Sequence, residues 1–275
     1  MSSQELIRRL GRLPSRAVQL AEWQLSHLLL RRAPWARNRF NQRYQALCFA
    51  DYKHLRHGNP EAAESLWMEH NLRHGATVVD VGANHGIVAL ECSLFVGPAG
   101  RVHAFEPSPA VRDRLLWHLD INHIQNVSVF GAAVGERCGR ARLHIYDRAT
   151  GWSALSSSRR PADSVIDVDT VSLDQHCRTH GILSLDLLKI DIEGHELFAL
   201  RGASQLLTEK RIAAVLFEIG ERTCRNAGVE PQELLNELQS VGYAVYSITA
   251  DGSAGEPVTR VSPVLRGQNF LAFPV

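Results

Sequence analysis

The chain has 275 residues, of which 45% are apolar and 21% charged, a balance that excludes wholesale disorder. Thirty basic against twenty-nine acidic residues give a net charge of +1, which excludes nucleic-acid binding by charge over the whole surface. Five scattered cysteines without a Cys-x-x-Cys pair exclude a disulfide scaffold and a zinc ribbon, and they predict a reducing, cytoplasmic compartment.

The first 59 residues differ in charge from the rest of the chain. They contain eleven basic and three acidic residues, and therefore carry a net charge of +8. Residues 17–30 form an apolar run that is interrupted by polar side chains and is too short to span a membrane. We expect a basic helical extension over residues 1–60. The apolar run in it is either an amphipathic helix on a membrane or partner protein, or a helical lid on the main domain.

From residue 77 onward, short β-branched segments alternate with helical patterns. This alternation predicts a doubly wound, mostly parallel, Rossmann-like α/β sheet in one domain over residues 61–275. The last two strands are joined by a loop rich in Gly, Ser and Pro, which favours an antiparallel pairing. The predicted strands are residues 77–81, 101–106, 127–130, 142–146, 168–173, 185–191, 213–219, 243–248 and 269–273, and the predicted helices are residues 87–96, 110–123, 195–207 and 231–241.

A glycine-rich turn follows the first of these strands. It reads Asp80-x-Gly82-x-Asn84-x-Gly86, at the strand end where ligands of such sheets bind. Glycine lets the backbone turn sharply and lets a ligand approach the main chain. Glu106, at the end of the next strand, can accept two hydrogen bonds from the hydroxyls of a ribose. The pattern therefore predicts a nucleoside cofactor.

The same turn distinguishes between nucleoside cofactors. Dinucleotide-binding proteins place a middle glycine against the pyrophosphate, whereas Asn84 stands at that position here. A sulfonium cofactor with an amino-acid tail needs glycine backbone and polar groups instead. Asp80 can bind its ammonium group, and Asn84 with the amides of the loop can bind its carboxylate. An NAD(P)-dependent oxidoreductase is the alternative enzyme.

Three segments resemble the signature blocks of FkbM-type methyltransferases, class I enzymes that use S-adenosylmethionine (SAM). They are Val79-Asp-Val-Gly-Ala-Asn-His-Gly86, Ala104-Phe-Glu-Pro-Ser-Pro109 and Leu188-Lys-Ile-Asp-Ile-Glu-Gly-His-Glu196. The resemblance covers residues 77–219. It implies a seven-stranded SAM-binding sheet and O-methylation of a hydroxyl on a sugar or secondary metabolite. It also implies SAM contacts at Asp80, Gly82, Asn84, Gly86 and Glu106, with the turn around Ala132 bordering the adenine.

Asp191 and Glu193 are the candidate catalytic residues. Both lie at the predicted carboxyl edge of the sheet, where one or both can orient or deprotonate an acceptor hydroxyl. Glu193 can instead cap the helix that follows it. Binding of a divalent cation by these acids and Glu218 is the weaker interpretation, because only two acids lie close together in the sequence. We therefore predict no metal.

His85 and the polar stretch at residues 147–163 are the candidates for the acceptor site. His85 lies inside the cofactor turn, and the polar stretch is longer than ordinary connectors, which is common in functional loops. We expect Trp152 to stack on a sugar ring or a planar substrate, with Ser153 beside it. These residues predict a small-molecule or glycan hydroxyl acceptor and no nucleic acid.

A third interpretation is a non-catalytic module that docks to an anionic membrane or a partner through residues 1–59. The acids Asp80, Glu106 and Asp191 are all present, and their presence argues against a vestigial site. The favoured hypothesis is therefore a SAM-dependent O-methyltransferase.

Overall fold

The structure is a computed structural model that describes residues 35–45, 62–146, 153–156, 161–261 and 268–275. The chain divides into two compact units, Met1–Pro60 and Glu61–Val275. Within the described ranges, every helix is too short or too polar to cross a lipid bilayer.

The described part of the first unit is a β-hairpin. Strand β1 (Trp35–Arg37) pairs antiparallel with β2 (Arg43–Gln45). The side-chain oxygen of Asn38 accepts hydrogen bonds from two backbone amides of the turn, a common role of asparagine in chain reversals. This hairpin differs from the expected helical extension. The predicted amphipathic run at residues 17–30 lies outside the described residues.

The second unit contains a large sheet, a small sheet and eight helices among its described residues. The strands are β3 (Thr77–Val81), β4 (Arg101–Phe105), β5 (Val127–Phe130), β6 (Ala133–Val134), β7 (Gly139–Ile145), β8 (Ser164–Val171), β9 (Leu187–Ile190), β10 (Val215–Ile219), β11 (Tyr243–Ile248), β12 (Ala254–Pro257) and β13 (Gln268–Pro274). The helices are α1 (Ala62–Asn71), α2 (Ile87–Val96), α3 (Pro109–Ile121), α4 (Leu173–Thr179), α5 (Glu196–Arg201), α6 (Ser204–Thr208), α7 (Glu221–Asn226) and α8 (Pro231–Ser240).

The large sheet has eight strands in the order β12–β11–β13–β10–β9–β3–β4–β5. The strands from β10 to β5 run parallel, and β13 runs antiparallel to both β10 and β11. The predicted doubly wound, mostly parallel α/β fold is therefore confirmed. The sheet has one strand more than the predicted seven, because β12 pairs with β11 at the edge. The sequence of β12, Ala-Gly-Glu-Pro, has no apolar alternation that would have predicted a strand.

The central strands β3 and β9 are buried on both faces. All four side chains of β9 and those of residues 78–81 in β3 are buried. Strands covered on both faces are predominantly apolar, which explains the Val, Leu and Ile residues that predicted them, and the two buried charged side chains, Asp80 and Lys189, pair with each other. Helix α2 packs on β3 and β4, and α8 packs on β11.

Two predicted features take a different form. The strands predicted at residues 142–146 and 168–173 correspond to β7 and β8 of the small sheet, in which β8 lies between β6 and β7 and pairs with both. The helix predicted over residues 195–207 is divided into α5 and α6. The carboxylate of Asp174 accepts hydrogen bonds from two amides in the first turn of α6, and so caps it as a separate helix.

The winding of the sheet reverses between β3 and β9. Strands β4 and β5 extend the sheet on one side of β3, and the chain then returns to form β9 on the other side. At such a point a crevice opens at the carboxyl ends of the strands, and ligands of open α/β sheets bind there. The turns that follow β3, β4, β9 and β10 lie at this edge.

Candidate active site

The turn after β3, residues 82–86, depends on two glycines. Gly82 (φ 82°) and Gly86 (φ 88°) both have the left-handed conformation that favours glycine. A Cβ atom on Gly82 would lie 1.9 Å from the carbonyl oxygen of Asp191, and one on Gly86 would lie 2.1 Å from Leu115 of α3. The turn after β3 therefore touches the turn after β9 through bare backbone, an approach that any side chain at Gly82 would prevent.

Glu106, the first residue after β4, joins two turns. Its Oε2 accepts a hydrogen bond from the amide of Asn84 at 3.0 Å, and its Oε1 accepts one from the amide of Ser108 at 2.8 Å. Each oxygen retains a second lone pair for a ligand. Burial raises the pKa of Glu106 to about 7, and the two backbone hydrogen bonds oppose this rise.

Asn84 is the central residue of the turn after β3. Its backbone is left-handed (φ 50°), a conformation that asparagine tolerates better than most residues. Its side-chain oxygen is buried and has no hydrogen-bond partner within the described part of the chain. A buried oxygen without a partner is costly, and a ligand that donates a hydrogen bond to it would remove that cost.

Lys189 of β9 forms ion pairs with two carboxylates. Its ammonium nitrogen lies 3.6 Å from Oδ1 of Asp80 and 3.4 Å from Oδ2 of Asp191. Asp80 and Lys189 are partners in the parallel register of β3 and β9. Burial raises the pKa of Asp80, and Lys189 opposes this rise. The lysine therefore compensates a carboxylate that the sheet has removed from water.

The position of Asp80 differs from the expected contact with a ligand ammonium group. Asp80 has no exposed surface, because β3 is a central strand, and its carboxylate faces Lys189 instead. In this arrangement Lys189 links Asp80 to Asp191. The side chain of Asp191, by contrast, is 30% exposed and can meet a ligand directly.

The turn after β9, residues 191–194, has a strained backbone. The φ angle is 53° at Glu193 and 103° at Gly194. Glutamate rarely adopts a left-handed conformation, and such strain is concentrated at functional sites. A Cβ atom on Gly194 would lie 2.2 Å from the carbonyl oxygen of Thr223, so the turn also touches the start of α7. Glu193 is not the cap of α5, because that helix begins at Glu196 after the cap residue His195.

Glu196, the first residue of α5, bonds to the backbone of this turn. Its Oε1 accepts hydrogen bonds from the amides of Ile192 at 3.0 Å and of Gly194 at 3.1 Å. Its Oε2 is buried and has no hydrogen-bond partner among the residues that the structure describes. Burial raises the pKa of Glu196 to about 7, although hydrogen bonds from its own backbone amide and from the amides of Gly194 and Ile192 oppose this rise.

The acids at this edge raise the pKa of one another. The pKa of Glu193 is raised to about 8, first by burial and then by the negative charges of Asp191 and Glu218. Glu196 raises it further, and Arg222 lowers it. Burial and the charge of Asp191 likewise raise the pKa of Glu218 to about 7. Carboxyl groups with pKa values near neutrality can accept and release a proton at that pH, which is the property of a general base.

The predicted acceptor-side residues lie in different surroundings. His85 is buried in the turn after β3, and its carbonyl oxygen accepts a hydrogen bond from Nδ1 of His118. Ser153 adjoins a residue that pairs with β7, and its buried hydroxyl has no hydrogen-bond partner in the described ranges. Ala132 follows β5 and is half-buried. Trp152 lies outside the described residues.

Three residues lie among the candidate site residues but were not predicted from the sequence: Lys189, Glu196 and Asn269. The first two lie in the same block as the candidate catalytic residues, and a lysine within a buried apolar strand is a signal for a buried ionic partner. Asn269 of β13 is the register partner of Glu218, and its amide donates a hydrogen bond to Glu64 of α1 at 2.5 Å. No local pattern connects residues so far apart in the sequence.

A metal centre is not built into the described part of the chain. Within those ranges, no three His, Cys, Asp or Glu side chains are grouped so that they could hold a metal ion. The cation that pairs with Asp80 and Asp191 is the ammonium group of Lys189.

The fold and the site define a class of protein. A crevice at the point where the winding reverses, a glycine turn after β3 and an acid at the end of β4 are typical of proteins that bind a nucleoside-containing cofactor. Within this class, residues 80–245 match the family model described as the methyltransferase FkbM domain. The chain belongs to this family, and the resemblance of its three sequence blocks is confirmed.

Three curated relatives are similar to the chain. NoeI of Sinorhizobium fredii, a 2-O-methyltransferase, is 28% identical over 49% of this chain and 60% of its own length. AglP of Haloferax volcanii, a hexuronic acid methyltransferase, is 25% identical over 65% of this chain and 73% of its own length. FkbM of Streptomyces tacrolimicus, a 31-O-demethyl-FK506 methyltransferase, is 29% identical over 56% of this chain and 65% of its own length. The matches thus span less than two thirds of NoeI and FkbM.

Proposed function

We propose that this protein is a SAM-dependent O-methyltransferase that transfers a methyl group to a hydroxyl of a sugar or small secondary metabolite. The observation that carries the proposal is a pair of acids at one edge of the sheet, one of them buried (Glu106) and the other half-buried (Glu193). Glu106 lies beside the glycine turn, and Glu193 has a pKa of about 8. A nucleoside cofactor needs the first acid, and an acceptor hydroxyl needs the second. Membership of the FkbM methyltransferase family supports the same function.

The residues around the glycine turn suit SAM. The unpartnered oxygen of Asn84 and the remaining lone pairs of Glu106 provide acceptors for the ammonium group and the ribose hydroxyls. Asn84 stands where a dinucleotide turn needs glycine, which favours a sulfonium cofactor over NAD(P). The residues proposed to hold SAM are Gly82, Asn84, Gly86, Glu106 and Ala132, with Asp80 acting through Lys189.

The proposed chemistry is divided between two neighbouring acids. When bound, SAM supplies an electrophilic methyl group on a sulfonium. Glu193 accepts the proton of the acceptor hydroxyl, because a general base is most effective when its pKa lies near the working pH. The partly exposed carboxylate of Asp191, paired with Lys189, orients that hydroxyl. Proton removal by a positioned base contributes about 10²–10⁴-fold in rate, and orientation contributes several kcal/mol.

The acceptor class is inferred from the relatives and from the polar loop. NoeI is named as a 2-O-methyltransferase and AglP as a methyltransferase of hexuronic acid. A hydroxyl of a sugar or a related metabolite is therefore the proposed acceptor. His85, Trp152 and Ser153 are proposed to line its site, with Trp152 stacked on the ring.

The two units have separate proposed roles. Residues 61–275 form the methyltransferase domain, and the basic residues 1–60 contact an anionic membrane surface or a partner protein from the cytoplasmic side. Positive charge beside apolar residues supports this role, because such segments bind anionic surfaces. Deletion of residues 1–59 is expected to leave the affinity for SAM unchanged.

Isothermal titration with SAM, S-adenosylhomocysteine and NAD(H) tests the cofactor. Binding of the first two and not of NAD(H) is the expected result, and the reverse would establish the oxidoreductase alternative. A screen with radiolabelled SAM against neutral sugars, hexuronates and hydroxylated metabolites then tests methyl transfer. If none of the three cofactors binds and deletion of residues 1–59 abolishes localisation, the protein is a docking module and not an enzyme.

A further inference from the structure

The turn that carries Glu193 is fixed on two sides by backbone contacts. Gly82 of the turn after β3 touches the carbonyl group of Asp191, and Gly194 touches the carbonyl group of Thr223. A left-handed glutamate between these contacts is strained and persists only when surrounding interactions impose it. The amides on either side of Glu193 are those that Glu196 binds. The side chain of Glu196 thus accepts the hydrogen bonds of both amides that flank Glu193.

We propose that Glu196 is a positioning residue that fixes the direction of the Glu193 carboxyl group and, through its own negative charge, strengthens Glu193 as a base. The inference rests on the proposed function of Glu193. It assigns Glu196 no contact with substrate or cofactor, because its side chain is buried and bonds to the backbone of the turn.

The chemistry of Glu196 argues against a purely structural role. A glutamine at this position could accept the same two N–H bonds through its amide oxygen, and no ionisable group would then be removed from water. The chain has a glutamate there instead, and its second oxygen is buried without a hydrogen-bond partner among the described residues. Burying a carboxylate in this way costs stability, so the negative charge itself has a function.

The charge of Glu196 acts within a defined set of neighbours. The pKa of Glu193 is raised by the charges of three acids: Asp191 of its own turn, Glu218 of β10 and Glu196 of α5. The charge of Arg222 of α7 lowers it. Glu196 is the acid in this set that also bonds to the backbone of the turn. Removing its charge therefore makes Glu193 a weaker base, and removing its hydrogen bonds releases the turn.

Two variants separate these effects. Glu196→Gln keeps an acceptor for both amides and removes the charge, whereas Glu196→Ala removes both. Glu233→Gln is the matched control, because Glu233 also accepts a hydrogen bond from a backbone amide, at the start of α8. Each protein is labelled with ¹³C at its glutamate carboxyl carbons and titrated by NMR, and the signal of Glu193 is identified by its loss in Glu193→Gln.

We expect the Glu193 midpoint, about 8 in the unaltered protein, to fall by roughly 0.5 pKa units or more in Glu196→Gln. The midpoint of Glu193 should not change in the Glu233→Gln control. In Glu196→Ala, hydrogen exchange at the amides of Ile192 and Gly194 should accelerate about tenfold or more, because both lose their acceptor. An unchanged midpoint in Glu196→Gln, or unchanged exchange in Glu196→Ala, would overturn the proposal.

The titration uses no acceptor, so it separates this inference from the proposed function. Once an acceptor is identified, Glu196→Ala should lower kcat and leave the dissociation constant of SAM unchanged. An equal loss of SAM affinity would show that Glu196 supports the whole edge and not Glu193 in particular. A shifted midpoint without methyl transfer to any acceptor would overturn the function and leave the positioning role intact.

Discussion

The turns after β3 and β9 use the same parts in different ways. Each turn has one left-handed residue that is not glycine: Asn84 in the first and Glu193 in the second. Each is also held by a buried glutamate whose carboxylate accepts hydrogen bonds from two backbone amides. Glu106 uses one oxygen for each amide and so joins two turns. Glu196 uses a single oxygen for both amides and so fixes one turn.

The difference between the turns corresponds to a difference in chemistry. Asparagine tolerates the left-handed conformation, and the amide of Asn84 offers a neutral binding group. Glutamate does not favour that conformation, and Glu193 has a pKa close to neutrality. The first turn therefore suits the cofactor binding proposed for it, and the second suits the proton transfer proposed for its strained acid.

The largest expected effect is that of Glu193→Gln. Without the carboxylate, methyl transfer to the acceptor should fall by about 10²–10⁴-fold, because the hydroxyl proton has no base. The affinity for SAM, measured by calorimetry, should not change. Retained activity in this variant would assign the base to another residue, and Glu233→Gln serves as the control for the loss of a carboxylate that lies on α8, outside the turn after β9.

Glu106→Ala tests the other turn. Loss of an acceptor for the ribose hydroxyls should raise the dissociation constant of SAM by about 10–100-fold, since hydrogen bonds to a charged group contribute about 1.5–3 kcal/mol. Asp174→Ala is the matched control, because the carboxylate of Asp174 also accepts hydrogen bonds from two backbone amides, which belong to the first turn of α6. If both variants bind SAM equally well, Glu106 does not bind the cofactor.

Gly194→Ala measures how tightly the second turn is packed. The left-handed backbone and the 2.2 Å approach to Thr223 should together lower the free energy of unfolding by about 2–4 kcal/mol. Gly181 is also left-handed (φ 65°), but no atom lies within 4 Å of its Cβ position, so Gly181→Ala should cost only about 1–2 kcal/mol. Chemical denaturation compares the two, and equal losses would mean that the contact with Thr223 is unimportant.

The final prediction concerns the pH dependence of stability. Burial raises the pKa values of Glu106, Glu193, Glu196 and Glu218 from the ordinary value of 4.5 to about 7 to 8 in the folded protein. The folded state then binds more protons than the unfolded state, so the free energy of unfolding should fall as the pH rises from about 4.5 to about 8. Denaturation curves across this range measure the slope, which should be shallower in Glu193→Gln. A free energy that rises with pH would contradict the raised pKa values.

The sheet could be predicted because its central strands have a recognisable local sequence pattern. A parallel strand that is covered on both faces is mostly Val, Leu and Ile, as in residues 215–219, and the glycines of the first turn mark where β3 ends. The edge strand β12 has no such pattern of apolar residues. The division of α5 from α6 depends on Asp174, which lies on a different helix.

The sequence indicated several candidate site residues but not how they are arranged. The spacing of Gly82, Asn84 and Glu106 indicated a cofactor turn. The pairing of Asp80 with Lys189 depends on the register of β3 and β9, which the sequence does not contain. The left-handed conformation of Glu193 is imposed by Glu196 and the neighbouring turns, because a glutamate by itself does not favour it.

The bare contact between Gly82 and the carbonyl group of Asp191 has a consequence for protein engineering. The proposed donor loop and the proposed acceptor loop meet at this point of backbone, so neither can be exchanged between family members as an independent cassette. A chimera that imports residues 191–196 from a relative must keep the glycine at position 82. Otherwise the first methyl group of any new side chain will force the two halves of the active site apart.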